Sequence, residues 1–218
     1  MSPLHVRALV PQQIVLRGNG TLALDALLMA AVCKRDRIPP ITVARAEGYA
    51  PAPEIPIARS EHDPRIHLAT HARPKLVEHE LRFKNRRFPV REALRLSAMS
   101  RVDQSAGPQK SYRIPYSAGF VDCGAIDWWC VGDADGVRDL LSWITGLGSH
   151  VAVGYGRVDE WTIESCESWD GFPLVRDGVP QRALPLDWPG VTESVVGFAV
   201  LEPPYWERAR EEPAMVAV

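Results

Sequence analysis

Positively charged side chains recur at every second position in one short stretch of the sequence. Arg82, Lys84 and Arg86 are separated there by single uncharged residues. Successive side chains of a β-strand point to opposite faces, so a strand over residues 80–88 carries three cations on one face. A row of this kind is typical of a surface that binds phosphate groups.

The distribution of charge supports this interpretation of the middle of the chain. The 218 residues have a formal net charge of −2, which argues against a uniformly basic nucleic-acid binder. Residues 59–113 nevertheless carry thirteen basic and six acidic side chains, a net charge of +7, whereas residues 1–58 have +2 and residues 114–218 have −11. The middle third is therefore a candidate phosphate-binding surface. The alternative is a basic solvated face that an acidic face balances.

A glycine-rich stretch provides a second candidate contact surface. Residues 145–157 hold four glycines within eleven positions. This density indicates turns with positive φ or a very close approach by another backbone. A nucleotide-binding P-loop is excluded, because that motif runs from a strand to a helix and needs Gly-Lys followed by Ser or Thr. A plainer alternative is a helix C-cap at Gly146 followed by a loose loop.

Residues that could catalyse a reaction or bind a metal show no diagnostic spacing. His67, His71, His150 and Tyr112 are candidate general bases, yet spacing fixes no pair among them. The four cysteines include no Cys-x-x-Cys pair, so we expect neither a zinc site nor a disulfide framework. The sequence contains no Gly-x-Ser-x-Gly or dinucleotide-binding motif. We therefore expect no catalytic residue, no metal and no cofactor.

The local sequence predicts the elements that position these groups. The clearest is an Ala- and Leu-rich helix over residues 22–35, which ends in two cations. A second, amphipathic helix is predicted over residues 137–144, and the stretch Asp133-Ala134-Asp135-Gly136 before it is predicted to supply its N-cap. Strands are predicted over residues 5–10, 14–16, 67–71, 80–88, 125–131, 158–164 and 191–201, an irregular functional loop over residues 97–119, and a frayed tail from Glu211 onward.

This order of elements indicates an α+β fold. A strand, a long helix, a strand-rich middle, a strand, a helix, a glycine-rich loop and a strand follow one another. That is the split βαβ, or ferredoxin-like, pattern with an elaborated centre. No apolar run approaches the ~20 residues of a membrane span, and the N-terminus lacks the architecture of a signal peptide. We expect a cytoplasmic protein that does not contact a membrane.

Four of these features together carry a resemblance to a known family. They are the strand and helix of the first 35 residues, the second helix, the glycine-rich loop, and the strand that starts at Gly154-Tyr155-Gly156-Arg157. The chain resembles the RAMP superfamily of CRISPR proteins, whose signature is a glycine-rich loop between the second helix and fourth strand of a ferredoxin-like fold. In detail it looks most like the subunit of type IV CRISPR effector complexes that corresponds to the crRNA 5′-handle-binding subunit of type I systems.

The resemblance implies a single RAMP-type domain over residues 1–218. Its ferredoxin-like (RRM-like) βαββαβ core would comprise residues 4–35 and 120–165, with the glycine-rich loop after the second helix. Residues 36–119 would form a basic insertion that grips RNA, and residues 166–218 a C-terminal extension.

The resemblance also implies a non-catalytic function in antiviral and plasmid defence. The protein would bind the 5′ handle of a guide RNA (crRNA) and cap a filament of backbone subunits. A large subunit would belong to the same complex, and target DNA would be contacted only indirectly. The residues expected to contact RNA are Arg82, Lys84, Arg86, Arg87, Arg91, Lys110, Tyr112, Arg113, His150 and Arg157, and those of the glycine-rich loop are Gly146, Gly148, Gly154, Tyr155 and Gly156.

Two other functions stay open at this point. Some members of the resembled family cleave precursor RNA without a metal, using a general base that activates the 2′-hydroxyl, so a processing endoribonuclease is one alternative. The other is a protein-only interaction subunit whose acidic C-terminal half binds a basic partner. Between the loop glycines, His150 is the one ionisable residue of a Ser-His-Val-Ala-Val run. We therefore expect the loop to be a shape element close to RNA or to a neighbouring subunit.

Overall fold

The computed structural model describes residues 1–18, 20–38, 53–86, 95, 112–166, 174–205 and 207–217. Within these ranges the chain is an α+β protein with two α-helices and eleven strands. The helices are α1 (Leu24–Arg35) and α2 (Ala134–Leu141). The strands are β1 (Ser2–Leu9), β2 (Leu22–Ala23), β3 (His71–Ala72), β4 (Leu76–Arg86), β5 (Tyr112–Val121), β6 (Ala125–Gly132), β7 (Glu160–Ser165), β8 (Val175–Arg176), β9 (Val179–Pro180), β10 (Val195–Ala199) and β11 (Glu212–Val216).

The central sheet has three antiparallel strands in the order β6-β1-β7. Alternate residues of the middle strand, Leu4, Val6 and Ala8, are completely buried in the main core, as the two-residue period of a strand requires. Helix α1 packs against α2, and α2 packs against β7. The two predicted helices and the three strands of this sheet are confirmed, with ends that differ by up to three residues.

Local sequence explains why α2 begins where it does. The Asp133 carboxylate accepts a hydrogen bond from the Gly136 N–H at 2.9 Å, which is the predicted N-cap. Val137, Leu140 and Leu141 point into the core, so the amphipathic pattern is satisfied by the central sheet.

Two short segments extend the sheet beyond β6. Ile57 pairs with Gly132, and Ala69 pairs with Cys130, both as isolated antiparallel bridges. These bridges satisfy part of the outer edge of β6. The strand predicted over residues 67–71 is instead two isolated bridges, at His67 and Ala69, followed by the two-residue β3.

Strands β4 and β5 form a long two-stranded ribbon. Its backbone register pairs Arg82 with Tyr116, Lys84 with Ile114 and Arg86 with Tyr112. Residues 78–85 and 112–115 are all exposed, so both faces of this part of the ribbon are open to solvent. The expectation of an irregular loop is wrong for residues 112–119, because pairing with the distant β4 makes them a strand despite their composition.

Strands β10 and β11 pair in a smaller sheet near the C-terminus. Strand β10 lies within the strand predicted over residues 191–201. The predicted frayed tail from Glu211 onward is wrong, because β11 pairs with β10 and Ala214 is completely buried. Ala214 belongs to a second hydrophobic core, whose other buried members are Ile66, Leu174, Leu184 and Leu201.

A buried ionic network connects α1 to this second core. The carboxylate of Asp25, on α1, accepts a hydrogen bond from Arg182 at 3.1 Å, and both side chains are 0 % exposed. The Tyr205 hydroxyl donates to Asp25 at 2.5 Å and accepts from Arg182 at 2.6 Å. Arg182 also donates to the carbonyls of His67 at 2.9 Å and Leu201 at 2.8 Å. The network therefore ties together four stretches that are distant in the sequence.

The network keeps Asp25 ionised and two neighbouring histidines neutral. Burial by itself would raise the pKa of the Asp25 carboxyl, because it favours the protonated form. Attraction to the Arg182 charge is the largest of the opposing interactions, which together bring this pKa below its ordinary value. Burial lowers the pKa of His67 to about 4, and burial with repulsion by Arg182 lowers the pKa of His71 to about 3. At neutral pH, one carboxylate and one guanidinium thus balance each other in the interior.

We expect Asp25→Ala to lower the free energy of unfolding by about 3–5 kcal/mol, because it leaves the Arg182 guanidinium buried without its counter-charge. The control Asp187→Ala removes a carboxylate that is 80 % exposed and should leave stability nearly unchanged. Urea unfolding followed by circular dichroism measures both variants. Equal losses of stability would contradict this account of the network.

Candidate nucleic-acid interface

Residues 13–15, which follow β1, join the base of the ribbon to the glycine-rich loop. Ile14 exchanges two backbone hydrogen bonds with Gly119 of β5, with N···O distances of 2.8 and 3.1 Å. The next carbonyl, that of Val15, accepts a hydrogen bond from the Ser149 N–H at 2.8 Å. The ribbon and the loop are therefore held against the same short segment.

The glycine-rich loop is closed by its own backbone. The Leu147 N–H donates to the Gly156 carbonyl at 2.8 Å, and Gly146 and Arg157 form an antiparallel bridge. The Gly156 N–H donates to the Gln13 carbonyl at 2.8 Å. The amides of Leu147 and Gly156 are thus engaged inside the protein and do not point to an external phosphate.

Two of the loop glycines occupy positions that a side chain cannot enter. Gly148 has a φ of +76°, and a Cβ there would lie 2.6 Å from the Val15 carbonyl oxygen. Gly156 has a φ of +62°, and its Cβ would lie 2.1 Å from the Leu147 carbonyl oxygen. Both predicted features, positive φ and close approach, are confirmed, and the approaching backbone is the protein's own. Because α2 ends at Leu141, the alternative of a helix C-cap in this loop is wrong.

Three aromatic rings, from Tyr116, His150 and Tyr155, form what we call the aromatic cluster. The Tyr116 and His150 rings stack with centroids 4.4 Å apart and an interplanar angle of 20°. Tyr155 packs edge-on against Tyr116 at 5.9 Å and 84°. His150 has a left-handed φ of +65°, and its Nδ1 lies 3.1 Å from the Ser149 hydroxyl. The cluster exists because β5 and the loop meet.

Cations lie close to the aromatic cluster. Burial, together with the charges of Arg17 and Lys84, lowers the pKa of His150, so its ring is neutral at pH 7. Arg82, by contrast, binds the Glu80 carboxylate at 2.5 Å. A groove of about 440 Å³ opens between the cluster and the ribbon, and it is lined by Phe83, Lys84, Tyr116, His150, Ala152, Val153 and Tyr155.

The structure brings part of the predicted RNA-binding set together. Lys84 and His150 of this set meet at the groove, together with Tyr155 of the glycine-rich loop. The register of the ribbon pairs Lys84 with Ile114, so Tyr112, two residues before Ile114, lies on the same face as Lys84. The backbone of Arg86 pairs with that of Tyr112. Arg87, Arg91 and Lys110 lie outside the described residues.

Arg113 and Arg157 do not line the groove. Arg113 is on the opposite face of the ribbon, where its guanidinium lies 4.3 Å from the centre of the Phe83 ring. Arg157 is exposed and lies 3.4 Å from the Asp159 carboxylate. Tyr116, at the centre of the cluster, was missed by sequence reasoning. Its signal is the separation of four residues from Tyr112, an even number that places both rings on one face only if the segment is a strand.

Burial separates the candidate general bases into two groups. His67 is 2 % exposed and His71 lies beside it, each within 4 Å of the Asp25 carboxylate. RNA cannot reach His67 in this structure. His150 and Tyr112 lie at the surface of the loop and the ribbon.

This arrangement is chemically suited to single-stranded nucleic acid. Unpaired bases stack on aromatic rings, and lysine side chains attract the phosphates between them. A neutral His150 stacks without adding charge, so Lys84 and Arg17 supply the attraction. Among the side chains that the structure describes, no group of three or more His, Cys, Asp or Glu could hold a metal ion.

Comparison with known proteins adds one match. The family model for CRISPR type IV associated protein Csf3 matches residues 54–217, which is 164 of the 218 residues. The match includes the ribbon, α2 and the glycine-rich loop. No curated protein matches the chain significantly. Neither described helix combines the length and the hydropathy that crossing a bilayer requires.

We expect Gly156→Ala to destabilise the protein by about 1–3 kcal/mol more than Gly154→Ala. Both residues have positive φ, +62° and +98°, so both substitutions strain the backbone. Only the Cβ at Gly156 meets the Leu147 carbonyl, whereas nothing lies within 4 Å of a Cβ at Gly154. Urea unfolding of the two variants measures the difference. A larger loss for Gly154→Ala would refute the closed loop.

Proposed function

The chain belongs to the family of the CRISPR type IV associated protein Csf3, and on this premise we propose that it binds the 5′ handle of a guide RNA as a non-catalytic subunit of a type IV CRISPR complex. Family membership supports the assignment to the complex. The aromatic cluster and the ribbon support the contact with RNA. Recognition of a handle requires single-stranded RNA, because only unpaired bases are free to stack on side chains.

The observation that carries the proposal is the meeting of Lys84 with the aromatic cluster. An unpaired base would stack against the cluster, and the adjoining phosphate would contact the Lys84 ammonium in the groove. Tyr112 follows on the same face of the ribbon. The RNA strand would therefore continue along β4 and β5, away from the loop.

At the level of the fold, we propose that the central sheet is the ferredoxin-like core of a single RAMP-type domain. The order β6-β1-β7, with α1 and α2 packed together, supplies three of the four strand positions of that core. The bridges from Ile57 and Ala69 to β6 occupy the fourth position. The ribbon would be the RNA-gripping insertion, and the smaller sheet the C-terminal extension.

We also propose that the protein caps one end of a filament of backbone subunits, beside a large subunit, in cytoplasmic defence against viruses and plasmids. Target DNA would be contacted only indirectly. The acidic side chains of the C-terminal half, which give residues 114–218 a net charge of −11, support contact with basic protein surfaces.

His150 supports a second candidate function, the metal-independent cleavage of precursor RNA. Its lowered pKa leaves the imidazole unprotonated at neutral pH, which a general base requires. Incubation of the protein with precursor RNA in EDTA separates the two functions. If the RNA is cut to handle-length products and His150→Ala abolishes them, the cleavage function replaces the non-catalytic proposal. Intact RNA would support the non-catalytic proposal.

We expect Lys84→Glu to weaken binding of the free chain to a single-stranded handle RNA about tenfold, because it reverses the charge at the groove. The dependence of affinity on salt should also decrease, by about 0.7 in the slope of log K against log [salt] for one phosphate contact. Fluorescence anisotropy at several salt concentrations measures both quantities.

The matched control is Arg138→Glu, which reverses another exposed cation, on α2, that is paired with Asp135. This variant should keep the affinity of the unmodified chain within about twofold. An equal loss of RNA affinity in both variants would show a non-specific effect of net charge. An unchanged affinity of Lys84→Glu would show that the ribbon is not part of the RNA-binding surface.

A further inference from the structure

Strand β10 forms the outer edge of the smaller sheet. It pairs with β11 along one side, at all five positions from Val195 to Ala199. On the other side of β11, Leu184 bridges to Met215. In the part of the chain that the structure describes, no strand pairs with the remaining side of β10.

Backbone bonding shows which groups of β10 point outward. The N–H and the carbonyl of Met215 both bond to Leu184, at 2.8 and 3.0 Å, so they point away from β10. In an antiparallel ladder, directly opposed residues alternate between bonded and non-bonded pairs. Val196, which is opposite Met215, must therefore direct its own N–H and carbonyl to the free edge, and Phe198 does the same two residues later.

The free edge is apolar. Val196 is 65 % exposed and Phe198 is 73 % exposed, on the same face of the strand, and Val195 is 50 % exposed on the other. Natural edge strands are usually protected by lysine, proline or a bulge, and the sequence of β10, Val-Val-Gly-Phe-Ala, has none of these. An apolar edge with open hydrogen-bonding groups is a template for an added strand.

The surroundings of the edge determine the chemistry of the partner. A cavity of about 290 Å³ adjoins Phe198 and Ala199, and Tyr205 and Glu211 also line it. Glu193, two residues before β10, is exposed at the other end. An extended segment that lies along β10 would thus place apolar side chains against Val196 and Phe198 and a cation beside Glu211.

We propose that the free edge of β10 binds an extended strand of another protein subunit, one with apolar residues and a Lys or Arg that enters the cavity beside Glu211. This inference rests on the proposed membership in a multisubunit complex, but not on the RNA-binding surface. The C-terminal extension is then a protein-docking module.

Hydrogen exchange at single-residue resolution tests the proposal on the unmodified protein. The amides of Val196 and Phe198 should exchange quickly in the free chain and about a hundredfold more slowly in the reconstituted complex. The Gly197 amide, which points to β11, should be protected in both states.

Val196→Pro tests the same edge by mutation. It removes an outward N–H without a loss from the β10–β11 ladder, as an edge strand tolerates. Incorporation of this variant into the complex should fall at least about tenfold. The matched control Val196→Ala keeps the N–H and should assemble more completely than Val196→Pro. Thermal unfolding checks that both variants are folded.

The other outcomes overturn the proposal in distinguishable ways. Fast exchange of the Val196 and Phe198 amides in the assembled complex would exclude strand addition. Protection that rises with the concentration of the free chain would identify a second copy as the occupant, and protection by guide RNA alone would identify RNA.

Affinity of the free chain for handle RNA is measured in parallel. If the free chain does not bind handle RNA while the Val196 and Phe198 amides are still protected in the complex, the RNA-binding proposal alone is refuted.

Discussion

Backbone pairing by residues 13–15 is the constraint on which the candidate site depends. This segment bonds to β5 at Gly119 and to the glycine-rich loop at Ser149 and Gly156. Tyr116 and His150 belong to different elements, and they stack because both elements are fixed to the same three residues. A glycine at position 148 is part of this constraint, since any Cβ there would collide with the Val15 carbonyl. The loop glycines thus have a structural function, and the rings of the aromatic cluster beside them form the candidate nucleic-acid interface.

The ionic network of Asp25, Arg182 and Tyr205 has the corresponding function at the other core. It connects α1, in the main core, with the segments that carry β10 and β11. The net stability that a buried pair of this kind contributes is small, because desolvation offsets much of the attraction. Its contribution here is to position the chain: Arg182 also donates to the carbonyls of His67 and Leu201, so it fixes these two segments relative to α1.

The two surfaces differ in the kind of partner that they suit. The ribbon and the aromatic cluster combine cations with stacked rings, which is the chemistry of single-stranded RNA recognition. The β10 edge combines apolar side chains with open backbone groups and nearby carboxylates, which suits a strand of protein and repels phosphate. A subunit that binds a guide RNA inside a protein assembly needs both kinds of surface. The family match, which spans residues 54–217, includes both.

The sequence by itself determined the parts of this protein that local interactions control. Helix α1 follows from its Ala and Leu content, α2 from the Asp133 cap and its apolar period, and the positive φ values of Gly148 and Gly156 from the density of glycine. The alternation of cations along β4 was also readable, because the period of a strand is a local property.

Only the tertiary structure decided the rest. Residues 112–119 and the segment after Glu211 are ordered strands because they pair with β4 and β10, and no local pattern encodes a distant hydrogen-bond partner. For the same reason, the sequence could not show which residues meet at the centre of the candidate site. Tyr116 meets His150, and Asp25 meets Arg182, across separations of 34 and 157 residues that the chain closes only when it folds.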